Sequence, residues 1–145
     1  MTSNQKQNLC LGLLLMAALG FLGAAIMIDE RPEFAVAASP AILRLGTLEQ
    51  NTEHLCTGKL VNTGKTPMII QKTWSSCGCS EVKISEQRIE VGGNIDYSVT
   101  LKTGKSDEES ITRLIFVEIA NPDGTEYQTI TIPIEYSSRM TGRPI

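Results

Sequence analysis

Two cysteines separated by one glycine are the residues of this chain best suited to chemistry. Cys77 and Cys79 flank Gly78. In an extended strand, side chains two residues apart point the same way, so a bond between these thiols needs a turn. Gly78 permits that turn, and a disulfide ring this tight is strained, easily reduced and suited to thiol exchange. A local disulfide is therefore the first of three interpretations.

The other two interpretations add residues from an earlier segment. A disulfide from Cys56 to Cys77 or Cys79 would close about twenty residues, worth about 3 kcal/mol if it acts through chain entropy. It would leave one thiol unpaired. His54, the only histidine, lies two residues before Cys56, so both would share one face of a strand. With the other two cysteines they make a one-histidine, three-cysteine set suited to Cu(I) or Zn(II). The residues alone leave all three open.

Other signs of catalysis or nucleic-acid binding are absent from the sequence. No second histidine could act as a base, and nothing identifies an acid to orient His54. The formal net charge is −3 and no basic cluster occurs, so phosphate neutralisation by this chain is not expected. The sequence therefore predicts no enzyme and no nucleic-acid partner. Thiol-redox chemistry at Cys77 and Cys79 is the one catalytic candidate.

The run from Leu9 to Ile28 contains no charged residue. Its length matches the roughly 20 apolar residues that cross a bilayer as a helix, and it exceeds the apolar part of an ordinary signal peptide. Lys6 precedes the run and Asp29-Glu30 follow it, which places the N-terminus in the cytoplasm. We therefore expect a cytoplasmic tip (1–8) and a transmembrane signal anchor (9–28).

A cleaved signal is the alternative to an anchor. Ala35-Val36-Ala37 offers a small-residue cleavage site, and Ala37-Ala38 offers a second small pair. Cleavage near Ala37 or Ala38 would release a secreted protein. Both sites lie well beyond the apolar run, which is a poor distance for a signal peptidase and favours the anchor.

The remainder of the chain reads as short strands separated by turns. Ile95 to Leu101 alternates apolar and polar residues, Leu114 to Val117 is apolar on both faces, and Asn121 to Gly124 is a strong hairpin signal. Pro133 places the last strand at a sheet edge. We predict an all-β fold, an immunoglobulin-like antiparallel β-sandwich of seven to eight strands preceded by the transmembrane helix. The expected boundaries are a linker at 29–40, the sandwich at 41–136 and a flexible tail at 137–145.

Four segments together resemble a known family. They are Leu60–Gly64 with its Asn-Thr-Gly turn, Pro67–Ile70, the Cys-Gly-Cys loop at Ser76–Ser80, and Val91–Gly93 before an alternating strand. This pattern resembles the secreted bacterial family known as domain of unknown function 1573, whose domains resemble the Hydin-like immunoglobulin fold. The resemblance covers roughly residues 41–136, and it departs at Gly92-Gly93, where the family usually has Pro-Gly. It implies a fold and an envelope location, and no established activity.

These observations predict a membrane-anchored extracytoplasmic domain that binds or scaffolds an unidentified envelope protein without catalysis. The expected location is the bacterial inner membrane, crossed once by residues 9–28, with the C-terminal domain on the periplasmic side. The alternative is a thiol-redox protein, or one that handles a soft metal (copper or zinc), acting through the Cys-Gly-Cys loop. No other cofactor is expected.

Overall fold

The computed structural model describes residues 30–105 and 109–139. The predicted cytoplasmic tip and membrane span lie outside these residues. The part of the chain that the structure describes contains no helix that could span a bilayer. The described residues from Arg31 onwards belong to one compact unit.

The described residues form two β-sheets that enclose one hydrophobic core. One sheet has the strand order β1-β3-β7-β5, and the other has the order β2-β9-β8-β4-β6. The prediction of an all-β sandwich is confirmed, with nine strands in the described residues in place of seven or eight. Their bounds are β1 (Val36–Ser39), β2 (Leu43–Glu49), β3 (Glu53–Asn62), β4 (Met68–Ser75), β5 (Ser80–Ile84), β6 (Arg88–Ile89), β7 (Asn94–Lys102), β8 (Ile111–Ala120) and β9 (Tyr127–Arg139).

Strand β1 lies inside the segment that the sequence predicted to be a linker. Val36 is buried, and the four residues of β1 pair antiparallel with the last four residues of β3. The chain then crosses to the other sheet, with a cis peptide bond between Ser39 and Pro40. There β2 pairs with β9 in parallel, so the prediction of a wholly antiparallel sandwich is wrong for this pair.

Strand β9 is not at a sheet edge, contrary to the prediction from Pro133. It pairs with β8 along most of its length and with β2 from Ile134 onwards. The proline lies just before the first pair with β2, Leu43 with Ile134, so its missing N–H interrupts no ladder on that side. The strand continues to Arg139 and Ser138 is buried, so residues 137–139 are not part of a flexible tail.

The periodicity of the sequence is reflected in the burial of β7 and β8. Ile95, Tyr97, Val99 and Leu101 all face the core, as predicted. Strand β8 lies at the centre of its sheet and buries alternate residues against the core. Its other face is covered in part by a stacked pair, Trp74 on Phe116 with ring centroids 5.3 Å apart. The tryptophan therefore packs on the outer face of the sheet, outside the main core.

The Asn-Thr-Gly turn after β3 is built around a buried amide. Asn62 is 1% exposed, and its Nδ2 donates to the carbonyl oxygens of Thr66 (2.7 Å) and Ile89 (3.2 Å). Its Oδ1 accepts from the N–H of Gly64 (2.9 Å). A Cβ at Gly64 would lie 2.8 Å from the carbonyl oxygen of Glu33, so the glycine is required by a close backbone approach.

The backbone just before β1 is tied to the same turn. The carbonyl oxygen of Ala35 accepts from the N–H groups of Thr63 (2.9 Å) and Gly64 (3.0 Å). The carbonyl oxygen of Glu33 accepts from the N–H (3.2 Å) and the hydroxyl (2.9 Å) of Thr66. Residues 33–36 are thus an integral part of the sandwich.

Candidate functional site

The Cys-Gly-Cys loop connects β4 of one sheet to β5 of the other, at one end of the sandwich. Cys77 and Cys79 are bonded to each other, with their Cα atoms 5.2 Å apart. That separation lies within the usual range for a disulfide, so the turn at Gly78 brings the two residues close enough. Of the three interpretations, the local disulfide is the one that the structure contains.

The hydroxyl of Ser75 fastens the two ends of this loop together. Its Oγ donates to the carbonyl oxygen of Cys77 and lies 3.1 Å from the carbonyl oxygen of Ser80. Because Ser75 is the last residue of β4 and Ser80 is the first of β5, one hydroxyl links both strand ends. The spacing of the cysteines does not point to Ser75, although the serines on both sides of the Cys-Gly-Cys loop are visible in the sequence.

Backbone hydrogen bonds also attach the loop to both sheets. The N–H of Ser76 donates to the carbonyl oxygen of Leu114 (2.8 Å), and its Oγ accepts from the N–H of Leu114 (3.0 Å). On the opposite sheet, the N–H of Lys102 donates to the carbonyl oxygen of Cys79 (2.8 Å). The position of the loop is therefore fixed by bonds that do not involve sulfur.

The two sulfur atoms share one hydroxyl neighbour. The Oγ of Ser80 lies 3.8 Å from the Sγ of Cys77 and 3.9 Å from the Sγ of Cys79. Both cysteines are half-buried, whereas Gly78 between them is exposed. A hydroxyl at these distances can donate to either sulfur once that sulfur carries negative charge.

The predicted disulfide from Cys56 is not formed. Cys56 is a free thiol, 5% exposed, on the core face of β3 opposite Val99. Its two predicted partners are already bonded to each other. Burial raises the pKa of the Cys56 thiol, which keeps it protonated and makes it a poor nucleophile and a poor metal ligand.

The four predicted metal ligands do not form one group. His54 and Cys56 share a face of β3, as predicted, but the Nε2 of His54 lies 2.7 Å from the hydroxyl of Thr52. Among the described residues, no three His, Cys, Asp or Glu side chains lie close enough to hold a metal ion. With Cys77 and Cys79 oxidised, neither offers a thiolate. Copper or zinc binding stays a prediction that requires reduction of the disulfide.

Cys56 is expected to resist alkylation in the folded protein. In a full-length variant with Cys10 replaced by serine, Cys56 is the only free thiol of the oxidised chain. Because labelling requires the core to open, a maleimide should react on the order of 100-fold more slowly than in urea. Mass spectrometry of timed samples measures both rates. Equal rates in buffer and in urea would contradict the burial of this side chain.

A second feature is an open stretch of sheet edge. Strand β1 ends where Ser39 pairs with Lys59, so within residues 30–105 and 109–139 the stretch 53–58 of β3 has a neighbouring strand only on the β7 side. Leu55 lies in this stretch and is 70% exposed, more than any other large apolar side chain of the described residues. An exposed apolar residue on an unpaired edge is a surface on which another chain can add a strand.

A shallow pocket of about 440 Å³ lies beside this edge. It is lined by Thr57, Lys83, Ile84, Ser85, Asp96, Tyr97 and Ser98, from β3, β7, β5 and the end of β5. The polar side chains that line this pocket belong to a sheet face that is exposed to solvent. Neither cysteine of the disulfide lines it, so this pocket and the loop are separate surfaces.

Solved structures similar to this one belong to several kinds of protein. The PapD-like domain 7 of human CEP192 is 14% identical and covers 79% of this chain and 92% of its own, with a TM-score of 0.57. The CupB2 chaperone of Pseudomonas aeruginosa (15% identical, TM-score 0.54) covers 74% of this chain and 57% of its own. The E. coli chaperone DraB (12% identical, TM-score 0.54) covers 72% and 56%. These likenesses show an immunoglobulin-like, PapD-like fold, and the chain spans little more than half of either chaperone.

Comparison of sequences identifies the family itself. No curated protein matches the chain significantly. Residues 37–137, which run from β1 into the end of β9, match the family described as "Protein of unknown function (DUF1573)". The resemblance seen in the Asn-Thr-Gly turn and the Cys-Gly-Cys loop is thereby confirmed. The chain is a member of the DUF1573 family.

Proposed function

We propose that this protein is a membrane-anchored scaffold of the bacterial envelope, whose sandwich binds a partner protein on the periplasmic side without catalysing a reaction. The anchor in this proposal is the uncharged run from Leu9 to Ile28, preceded by Lys6 and followed by acidic residues. The sandwich beyond it is the binding module.

An uncleaved anchor is favoured over a secreted form by the position of β1. Cleavage near Ala37 or Ala38 would cut through β1 and remove Val36, which is buried in the core. It would also remove Glu33 and Ala35, whose carbonyl oxygens hold the turn after β3. Because the sandwich needs these residues to be complete, their position supports the proposal that the N-terminal segment is not cleaved off at Ala37 or Ala38.

The observation that carries the binding role is the open edge at residues 53–58. An extended segment of a partner could pair with this half of β3, in line with β1, and rest an apolar side chain on Leu55. Lys59 and Glu53 flank this stretch, and they are occupied by ion pairs with Asp96 and Lys102 respectively. The edge is therefore flanked by neutralised charges and presents Leu55 between them. DraB and CupB2, two of the similar structures, are chaperones, which agrees with a role for this chain in binding another protein.

Photo-crosslinking in the native envelope tests the edge. A photoreactive residue at Thr57, exposed on this edge, should give one discrete adduct, and the same residue at Thr112, exposed on the central strand β8, should not. Leu55→Asp should weaken the adduct at Thr57 by about 30-fold, equivalent to about 2 kcal/mol for one central interface residue. Equal adducts from both positions, or insensitivity to Leu55→Asp, would exclude this edge as the binding surface.

A fusion experiment tests the location. A reporter enzyme active only in the periplasm, attached after Ile145, should be active in cells, and one active only in the cytoplasm should not. The reverse result would overturn the membrane topology of the proposal.

A further inference from the structure

We propose that the Cys77–Cys79 disulfide is a thiol–disulfide exchange site that oxidises two thiols of a partner protein. This activity goes beyond the scaffold role and does not depend on the open edge of β3. The electron donor is a protein dithiol. The oxidant that restores the disulfide is a second disulfide, from a protein or from glutathione.

The disulfide is poorly suited to a purely structural role. It joins residues only two apart in sequence. The entropic stabilisation that a disulfide gives to the folded state becomes smaller as the loop it closes becomes shorter, so this bond contributes little. The same loop is already attached to β8 through Ser76 and to β7 through Cys79 by backbone hydrogen bonds. Reduction would therefore leave the loop in place.

Retention of the loop after reduction is what a reversible site needs. The Ser75 hydroxyl lies within hydrogen-bond distance of the carbonyl oxygens of Cys77 and Ser80, and neither contact involves a sulfur atom. The two thiols would stay close to each other, so that the disulfide can form again without a search through unfolded conformations. Cys56, on the core face of β3, cannot compete for either of them while the sandwich is folded.

The loop also allows a partner thiolate to approach. Cys77 and Cys79 are half-buried, and Gly78 between them is exposed. Apart from the two cysteines next to it, no described residue has a heavy atom within 4 Å of the position that a Cβ on Gly78 would occupy, so the space beside this glycine is open. By contrast, the buried thiol of Cys56 offers no such access.

Ser80 is placed to assist whichever sulfur leaves. Its hydroxyl oxygen is almost equidistant from the two sulfurs, at 3.8 and 3.9 Å. When the disulfide breaks, one sulfur becomes a thiolate, and a hydroxyl donor favours the charged form. Ser80 is thus a positioning residue whose hydroxyl stabilises the leaving thiolate and speeds the exchange.

The exchange balances in two steps. A thiolate of the partner attacks one sulfur of the disulfide, a bond forms between the two proteins, and the other cysteine leaves as a thiolate that takes a proton from water. A second thiolate of the partner then attacks the partner's own sulfur in the mixed disulfide and releases the first cysteine. Two electrons pass from the partner, which gains a disulfide, to Cys77 and Cys79, which become thiols.

Redox titration of the full-length chain in detergent tests the proposal. With Cys10 replaced by serine, the fraction of reduced Cys77 and Cys79 is measured by mass-tagged alkylation across mixtures of reduced and oxidised glutathione. We expect a reversible two-electron titration within millimolar glutathione, with unchanged urea unfolding in the reduced form. A disulfide that stays oxidised throughout, or a reduced form that unfolds, would overturn the proposal, because either result indicates a structural bond.

Kinetics against a reduced dithiol peptide test the role of Ser80. Ser80→Ala should slow peptide oxidation about tenfold and raise the pKa at which the released thiol titrates, with thermal stability kept. Ser98→Ala, which removes a hydroxyl on the outer face of β7, should leave both unchanged. A slower Ser80→Ala reaction without a shift in the pH profile, or an equal loss in both variants, would contradict this assignment.

Discussion

A chain that begins at Ala38 is expected to lose about 5–7 kcal/mol of folding free energy relative to one that begins at Arg31. The shorter chain lacks Val36, and full burial of a valine is worth about 1.5–3 kcal/mol. It also lacks the carbonyl oxygens of Glu33 and Ala35, which accept from the turn at residues 63–66. Each hydrogen bond lost there costs about 1 kcal/mol. Urea unfolding followed by the fluorescence of Trp74, the only tryptophan, measures the difference.

A third chain provides the control for shortening as such. A chain that begins at Glu33 keeps both carbonyl oxygens and Val36, and its stability should lie within about 1 kcal/mol of the chain that begins at Arg31. If the chain that begins at Ala38 were equally stable, residues 33–37 would contribute nothing to the sandwich. Cleavage near Ala37 or Ala38 would then be compatible with a folded product, and the case for an uncleaved anchor would weaken.

The strands that the sequence predicts well are those whose own residues alternate between apolar and polar or form a continuous apolar run. Ile95 to Leu101 alternates because one face is exposed to solvent, and Leu114 to Val117 is apolar throughout because the outer face of β8 is also covered in part, by Trp74 stacked on Phe116. Strand β1 has no such pattern, since Val36 is its only large residue among alanines and serine. It is a strand because β3 pairs with it, and that partner is distant in sequence. Local periodicity does not contain this information.

The position of β9 was mispredicted for a related reason. Pro133 does lack the N–H that a second neighbour would need, and this was the basis for placing the strand at an edge. The neighbour, β2, begins its register only at Ile134. Whether a proline excludes a neighbour therefore depends on where that neighbour starts, which is set by the chain crossing after β1 and not by the composition of β9.

The candidate site, like the strands, could be predicted from the sequence only in part. The spacing of Cys77 and Cys79 and the turn-forming Gly78 were sufficient to identify the loop from sequence. The sequence was not sufficient to identify which cysteines are bonded, because Cys56 was also a possible partner. Only the fold shows that the side chain of Cys56 is buried in the core, on the inner face of β3. Ser80 was missed because its role rests on two sulfur–oxygen distances that no spacing rule gives.

Replacement of Asn62 by alanine is the second change for which we expect a large effect, about 3 kcal/mol of destabilisation. The side chain is 1% exposed and makes three hydrogen bonds, so the alanine variant leaves the buried carbonyl oxygen of Ile89 and the partly buried one of Thr66 without this donor. An unsatisfied buried polar group costs about 1–3 kcal/mol. The Gly64 N–H keeps one acceptor, the carbonyl oxygen of Ala35, which limits the total. Urea unfolding of the variant and the parent chain gives the difference.

Two further variants distinguish the contribution of the Asn62 amide to stability from that of the neighbouring residues of the turn. Thr63→Ala changes the adjacent, exposed residue, whose hydroxyl lies 3.4 Å from its nearest acceptor, and it should stay within about 0.5 kcal/mol of the parent. Asn62→Asp keeps the acceptor for Gly64 but replaces the donor by a buried charge facing two carbonyl oxygens, so it should destabilise more than alanine. If aspartate were tolerated as well as asparagine, the two donated bonds would not hold this turn. In that case the Asn-Thr-Gly signature that marks the family would need a cause other than stability, such as contact with a partner.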